Sequence, residues 1–138
     1  MTNVVDSSLW VDYFRKKTPA PVKAQVDGIV RLTDIATCTP ILFELLRAVT
    51  PQDGWKIEEF FETVPVLETP RNLWADSARL GQKCTEAGLR TPALDLLIAQ
   101  VCIHHKATIT TFDADFDKIA SVSPLQVNLL HRLGPAFQ

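Results

Sequence analysis

The chain has 138 residues, 46% of them apolar, with a formal charge of −2 and three cysteines. That length suits one domain burying about 68–70% of its unfolded surface, and the apolar content excludes disorder. No apolar run approaches the roughly 18 residues of a membrane span, and the small negative charge gives no general preference for nucleic acid, so any such binding needs a local basic patch.

In chain order, "NVVD" is short, apolar and β-branched, which predicts a strand ending at Asp6. "SSLWVDYFRKK" follows with Leu9, Trp10, Tyr13 and Phe14 at helical spacing, and "APVKAQVDGIVRL" repeats the pattern with Val22, Val26, Ile29 and Val30. "DIATC" reads as a strand. "TPILFELLRAV" starts a helix with Thr39 as expected N-cap and Pro40 at the first helical position. "GWKIEEFFETV" is amphipathic, "PVLE" reads as a short strand, and "RNLWADSARLGQKCTEAG" is a longer helix stopped by Gly88. "TPALDLLIAQVCIHH" is apolar on nearly every side, as a buried helix should be. "ATITT" predicts a strand, "ADFDKIA" a short helix and "VNLLH" a last strand. Strands alternating with helices imply an α/β layer fold around a mostly parallel sheet.

The cysteines, Cys38, Cys84 and Cys102, are odd in number and lack C-x-x-C spacing, which argues against a disulfide framework or a thiolate zinc site. With an N-terminus unlike a signal peptide, they lead us to expect a reducing, cytoplasmic setting. His104 and His105 end an apolar helix and are expected to interact with its last carbonyls. Trp10, Phe14, Trp55, Phe60, Phe61 and Trp74 sit at core spacing, although aromatic residues of this kind also line dimer or partner grooves.

Four acids stand out. Asp6 and Asp113 each follow a strand and start a helix, at the sheet edge where α/β folds gather ligands. Asp95 falls in the first turn of the buried helix, and Glu44 interrupts the apolar "ILFELL". Each also has an ordinary role: Asp6 and Asp113 as N-caps, Asp95 against the helix dipole, Glu44 paired with Arg47. If they converge, two carboxylates about 4 Å apart repel by roughly 4 kcal/mol at an effective dielectric of about 20, so they must take up protons or hold a cation. Oxygen ligands alone favour Mg²⁺ or Mn²⁺ over Zn²⁺.

The segments "VVDSSLWVDYF", "TPILFELLRAV" and "GLRTPALDLLIAQVCIHHKATITTFDADF", in this order, resemble the PIN-domain nucleases and, within them, the VapC-type toxins of bacterial toxin–antitoxin pairs. The resemblance implies a single PIN-like, Rossmann-like three-layer domain over residues 1–138, with four or five sheet strands. It implies a Mg²⁺- or Mn²⁺-dependent endoribonuclease acting on structured RNA such as tRNA or a ribosomal RNA loop. A homodimer and a VapB-like antitoxin are the partners it implies.

Carried over by position, the catalytic and metal-binding acids are Asp6, Glu44, Asp95 and Asp113, with Asp115 secondary and Glu44 acting directly or through water. Ser7 matches a supporting hydroxyl and Thr111 (or Thr110) another; such hydroxyls orient carboxylates or cap helices, capping being favoured for Ser7. Asp117 reads as solvated. Arg15, Lys16 and Lys17 form the densest basic run, either a solvated helix end or a phosphate contact. Residues 51–84 match no motif closely, which leaves substrate choice open. A PIN nuclease of RNA maturation and a PIN module that only binds are the related alternatives. A Mg²⁺-binding receiver domain is less suited, since it needs paired acids where this chain has Asp6 followed by Ser7 and Ser8.

Overall fold

A computed structural model describes residues 1–134. The elements are β1 (Asn3–Val5), α1 (Ser7–Phe14), α2 (Ala20–Val30), β2 (Ile35–Ala36), α3 (Thr39–Leu46), α4 (Pro51–Phe61), α5 (Leu73–Glu86), α6 (Ala93–His105), β3 (Thr108–Thr111), α7 (Asp115–Ala120) and β4 (Gln126–Leu129). The strands form one four-stranded sheet in the order β2-β1-β3-β4, with every pairing parallel. Helices flank it in a three-layer α/β arrangement, as the alternation of elements predicts.

Parallel strands covered on both faces should lack polar alternation, and Val4, Val5, Ile109, Thr110 and Thr111 are all buried. The chain leaves β1 toward β2 on one side and returns to place β3 on the other. The switch point therefore lies between β1 and β3, and Val5 pairs with Thr110 just before both strands end. Beneath it, Trp10 is fully buried, donates from Nε1 to the Val5 carbonyl at 3.0 Å, and packs edge-on against Phe61 with ring centroids 4.8 Å apart. This anchors α1, and so the residues just after β1, to the core.

Helix α5 ends in a left-handed turn at Gly88 (φ 76°), with Leu89 N–H bonded to the Cys84 carbonyl at 2.8 Å and Gly88 N–H to Thr85 at 2.9 Å. A side chain at that φ is strained, which is why glycine stands there. Among the described residues, no helix is long and apolar enough to cross a membrane.

Several local expectations need correction. "PVLE" contributes only one bridge, Thr37 to Val66, because Pro65 has no N–H to continue a ladder. Thr39 is the first residue of α3 and Cys38 occupies the cap position, without a side-chain cap bond. Trp55 and Trp74 are 69% and 76% exposed, so their spacing marks a helix face that none of the described residues covers. His105 does not bond the carbonyls of α6; its Nε2 lies 2.7 Å from the Glu68 carbonyl in the connection before α5. The three cysteines are free and buried, as a chain without a disulfide framework requires.

Candidate metal centre

Asp6 leaves β1 directly into α1, and its backbone N–H bonds the Thr110 carbonyl at 3.0 Å, locking it beside β3. Its carboxylate is buried and makes no cap bond to α1. Instead it accepts hydrogen bonds from Ser8 at 2.9 Å and Thr111 at 2.7 Å, both on Oδ2. Burial raises the Asp6 pKa from its ordinary value; the hydroxyl donors oppose the rise, and Glu44 adds to it.

Ser7 does not cap α1 through its side chain. Its hydroxyl donates to Oε1 of Glu44, which α3 carries to the same place, and lies 3.4 Å from Oδ1 of Asp6. Half-buried Glu44 is thus held by a serine and makes no ion pair with Arg47 among the described residues.

On the other side of Asp6, the Thr111 hydroxyl also accepts the Asp113 N–H at 2.8 Å, and Asp113 Oδ1 accepts the Asp115 N–H at 2.9 Å. Ala114, not Asp113, occupies the cap position of α7, without a side-chain cap bond, so the Asp113–Asp115 bond is an Asx-type turn just before the helix. Asp115 in turn sits 3.0 Å from the ammonium of Lys118. The Phe112 ring between these residues is covered by the Arg132 guanidinium, 4.4 Å above its centroid, and Arg132 also pairs with buried Asp12 at 2.8 Å.

Asp95 differs from the other acids. It is buried, and its Oδ2 has no hydrogen-bond partner among the described residues. One ligand oxygen from each of Asp95, Asp113 and Asp115 lies within 4.8 Å of the others. Desolvation raises the Asp95 pKa to about 7, with Asp113, Asp6, Glu44 and Asp115 adding repulsion in that order. A buried carboxylate oxygen without a donor, facing further carboxylates, lacks a positive partner. The donor set is all oxygen, which fits a hard divalent cation and not zinc. The tight group includes Asp115, ranked second from the sequence, whereas Asp6 and Glu44 flank it through the Ser7 bridge.

Ser8 and Lys118 were missed by the sequence reading. Lys118 was legible as an i,i+3 partner of Asp115; Ser8 carried no signal beyond its hydroxyl. Arg15, Lys16 and Lys17 lie exposed past the end of α1, whose last carbonyls are capped by Lys23, at 2.7 Å from Tyr13 and 2.6 Å from Arg15. Arg15 and Lys16, together with Lys56 and Glu44, line a groove of about 620 Å³. Lys17 is not in its wall. Asp117 is exposed, as expected.

The model of the PIN domain family matches residues 4–122. Ribonuclease VapC11 of Mycobacterium tuberculosis is 31% identical over 128 residues, covering 89% of this chain and 95% of that protein. Ribonuclease VapC17 of the same organism is 31% identical over 130 residues, covering 89% and 90%. Among solved structures, VapBC2 from Rickettsia felis bound to a promoter DNA fragment superposes with a TM-score of 0.72 at 19% identity, over 94% of this chain and 99% of that one. DNA-bound VapBC from Salmonella typhimurium gives 0.73 at 13% identity, over 93% and 97%. The structural likenesses establish the fold, and the sequence matches carry the relationship further: the chain belongs to the PIN-domain family and strongly resembles its VapC-type toxins.

Proposed function

We propose that this protein is a Mg²⁺- or Mn²⁺-dependent endoribonuclease of the toxin–antitoxin type, acting on structured RNA such as tRNA or a ribosomal RNA loop. The observation that carries the reading is the partnerless buried Oδ2 of Asp95 within a group of three carboxylates.

In this reading Asp95, Asp113 and Asp115 would hold the cation, and Asp6 adds negative charge near Asp95. A bound divalent ion supplies polarisation of a phosphoryl oxygen and makes water more acidic. The chain's own part is orientation and proton transfer. Ser8 and Thr111 fix the Asp6 carboxylate, while Ser7 fixes Glu44, which accepts a proton from the attacking water. Attack at phosphorus breaks the bond to the 3′ oxygen, which takes a proton from solvent as it leaves, and Glu44 then gives its proton back to solvent. The products carry a 5′-phosphate and a 3′-hydroxyl.

An exposed apolar groove supports the expectation of protein partners. Phe43 is 58% and Trp74 76% exposed, and both line an apolar groove of about 340 Å³ with Pro40, Leu73, Leu94 and Leu97. Exposed aromatic residues of this kind favour association, which supports the expected homodimer and antitoxin.

The test of the activity is incubation of the purified protein with total tRNA and ribosomal RNA, with chelator and with added Mg²⁺ or Mn²⁺, followed by end analysis of the products. Cleavage that depends on metal and leaves 5′-phosphates is expected. Cleavage that persists in chelator, or leaves 2′,3′-cyclic phosphates, would sink the mechanism.

A further inference from the structure

Two open clefts each share one acid with the site. The groove of about 620 Å³ described above shares Glu44 with the site. A second cleft, of about 1390 Å³, lies between the C-terminal half of α5, the Gly88 turn, the start of α6 and α7, and shares Asp115 with the carboxylate group. Gln82, Thr85, Arg90, Thr91 and Lys118 are in its wall. We propose that an RNA strand crosses the acids from one cleft to the other, and that the α5–α6 cleft is the subsite that holds the nucleotides on one side of the cut bond. There Arg90 contacts a backbone phosphate, while Gln82 and Thr85 contact base edges. This rests on the nuclease reading above and adds to it the side chains that choose the sequence.

The physical need is plain. A polyanion brought over a carboxylate cluster is repelled on both flanks of the bond being cut, so each flank requires cations of its own. Arg90 is exposed and makes no ion pair among the described residues. It stands two residues after Gly88, whose turn is pinned by two backbone hydrogen bonds, so its backbone is already ordered before any ligand arrives. Its planar guanidinium matches two phosphate oxygens at once. Lys118, 46% exposed and paired with Asp115, brings a second cation to the end nearest the acids.

The same wall carries donors and acceptors on a rigid helix. The exposed Gln82 amide has no intramolecular hydrogen bond among the described residues, and the Thr85 hydroxyl donates to the Gly81 carbonyl at 3.0 Å, which leaves its lone pairs free to accept. Bases are told apart by such edge contacts, whereas phosphate contacts only position the strand. Among the described residues no aromatic side chain lines this cleft, so selection there should rest on hydrogen bonding and not on stacking. Glu86 in the wall limits the net positive charge, so the salt dependence contributed by this side should be small. A volume above the roughly 300–1,000 Å³ of small-molecule sites leaves room for more than one nucleotide.

The experiment uses a labelled random-sequence RNA. In chelator, where cutting is silent, binding of wild type, Arg90→Ala, Arg90→Lys and Gln82→Ala/Thr85→Ala is measured by anisotropy from about 50 to 200 mM salt. With Mg²⁺ or Mn²⁺, the same proteins cut the pool and the new 5′ ends are sequenced. Arg90→Ala should bind several-fold more weakly with a salt slope smaller by about 1, and Arg90→Lys should recover the slope. The double variant should keep the slope and lose base preference on one side of the cut. All variants should melt with wild type, since Arg90, Gln82 and Thr85 are exposed. If wild type cuts the pool but Arg90→Ala keeps its slope and affinity, or the double variant keeps its base preference, the cleft is not the strand's path and the nuclease reading survives. A wild type that cuts neither this pool nor total tRNA and ribosomal RNA overturns both.

Discussion

The Ser7 hydroxyl donates to the carboxylate of Glu44 across 37 positions of sequence, joining the first residue of α1 to the middle of α3. One hydroxyl thereby spaces two acids, since Ser7 also lies beside the Asp6 carboxylate.

Removing that hydroxyl separates orientation from charge. Ser7→Ala leaves a half-buried carboxylate without its donor, which should lower stability by about 1 kcal/mol. Cleavage should fall by about tenfold, which corresponds to a barrier about 1.4 kcal/mol higher. Ser7→Thr should restore much of both. Thermal unfolding and single-turnover cleavage check this, and a Ser7→Ala protein with wild-type rate would mean that Glu44 needs no such support.

The second expectation turns on the sign of the Asp95 shift. Its folded pKa of about 7 lies above the ordinary 3.8, so its contribution to metal-free stability is fully present below about pH 4 and lost as pH rises through 7. At neutral pH, Asp95→Asn removes the repulsion and offers an amide donor to the neighbouring carboxylates. We expect the variant in chelator to gain about 1–2 kcal/mol, after discounting the shift for solvent screening. Its added stability on titrating Mg²⁺ or Mn²⁺ should shrink, because that gain follows ligand affinity. Unfolding at pH 5 and pH 8, each with chelator and with metal, is the measurement. A variant that is less stable in chelator and keeps its metal response would assign Asp95 to the helix dipole.

The basic run should divide. Arg15 and Lys16 line the groove that contains Glu44, whereas Lys17 does not. Arg15→Ala with Lys16→Ala should lower the salt slope of RNA binding by about 2, and Lys17→Ala should leave it unchanged. An equal loss from all three would point to a diffuse field and not to a groove.

The exposed aromatics predict association. Trp74→Ser and Phe43→Ser remove apolar surface that is already solvent-exposed, so stability of the isolated chain should change by less than about 0.5 kcal/mol. Sedimentation should nonetheless shift toward monomer, and co-purification with a co-expressed antitoxin should weaken. A double variant that associates as wild type does would mean the groove faces only water.

Much of this was legible because it is local. Helix starts at Thr-Pro, the all-round apolar character of α6 and the placing of Asp6 and Asp113 after strands follow from short-range periodicity and backbone chemistry. The family resemblance rests on those same segments. Residues 51–84 offered no such motif, yet α5, which begins within them, walls the cleft beside Asp115.

What periodicity cannot encode is which faces meet. The exposed Trp55 and Trp74 sit at the same spacing as buried Trp10, because spacing defines a stripe but not whether another element covers it. Thr-Pro located the start of α3 but not the side chain that caps it. The grouping of Asp115 with Asp95 and Asp113, the Ser7 bridge and the partnerless Asp95 oxygen all depend on β1 lying beside β3. That order is set by long-range packing of Val4, Val5 and Ile109. Carboxylate distances across such contacts exist only once the sheet has formed, and the repulsion that raises the Asp95 pKa exists only with them.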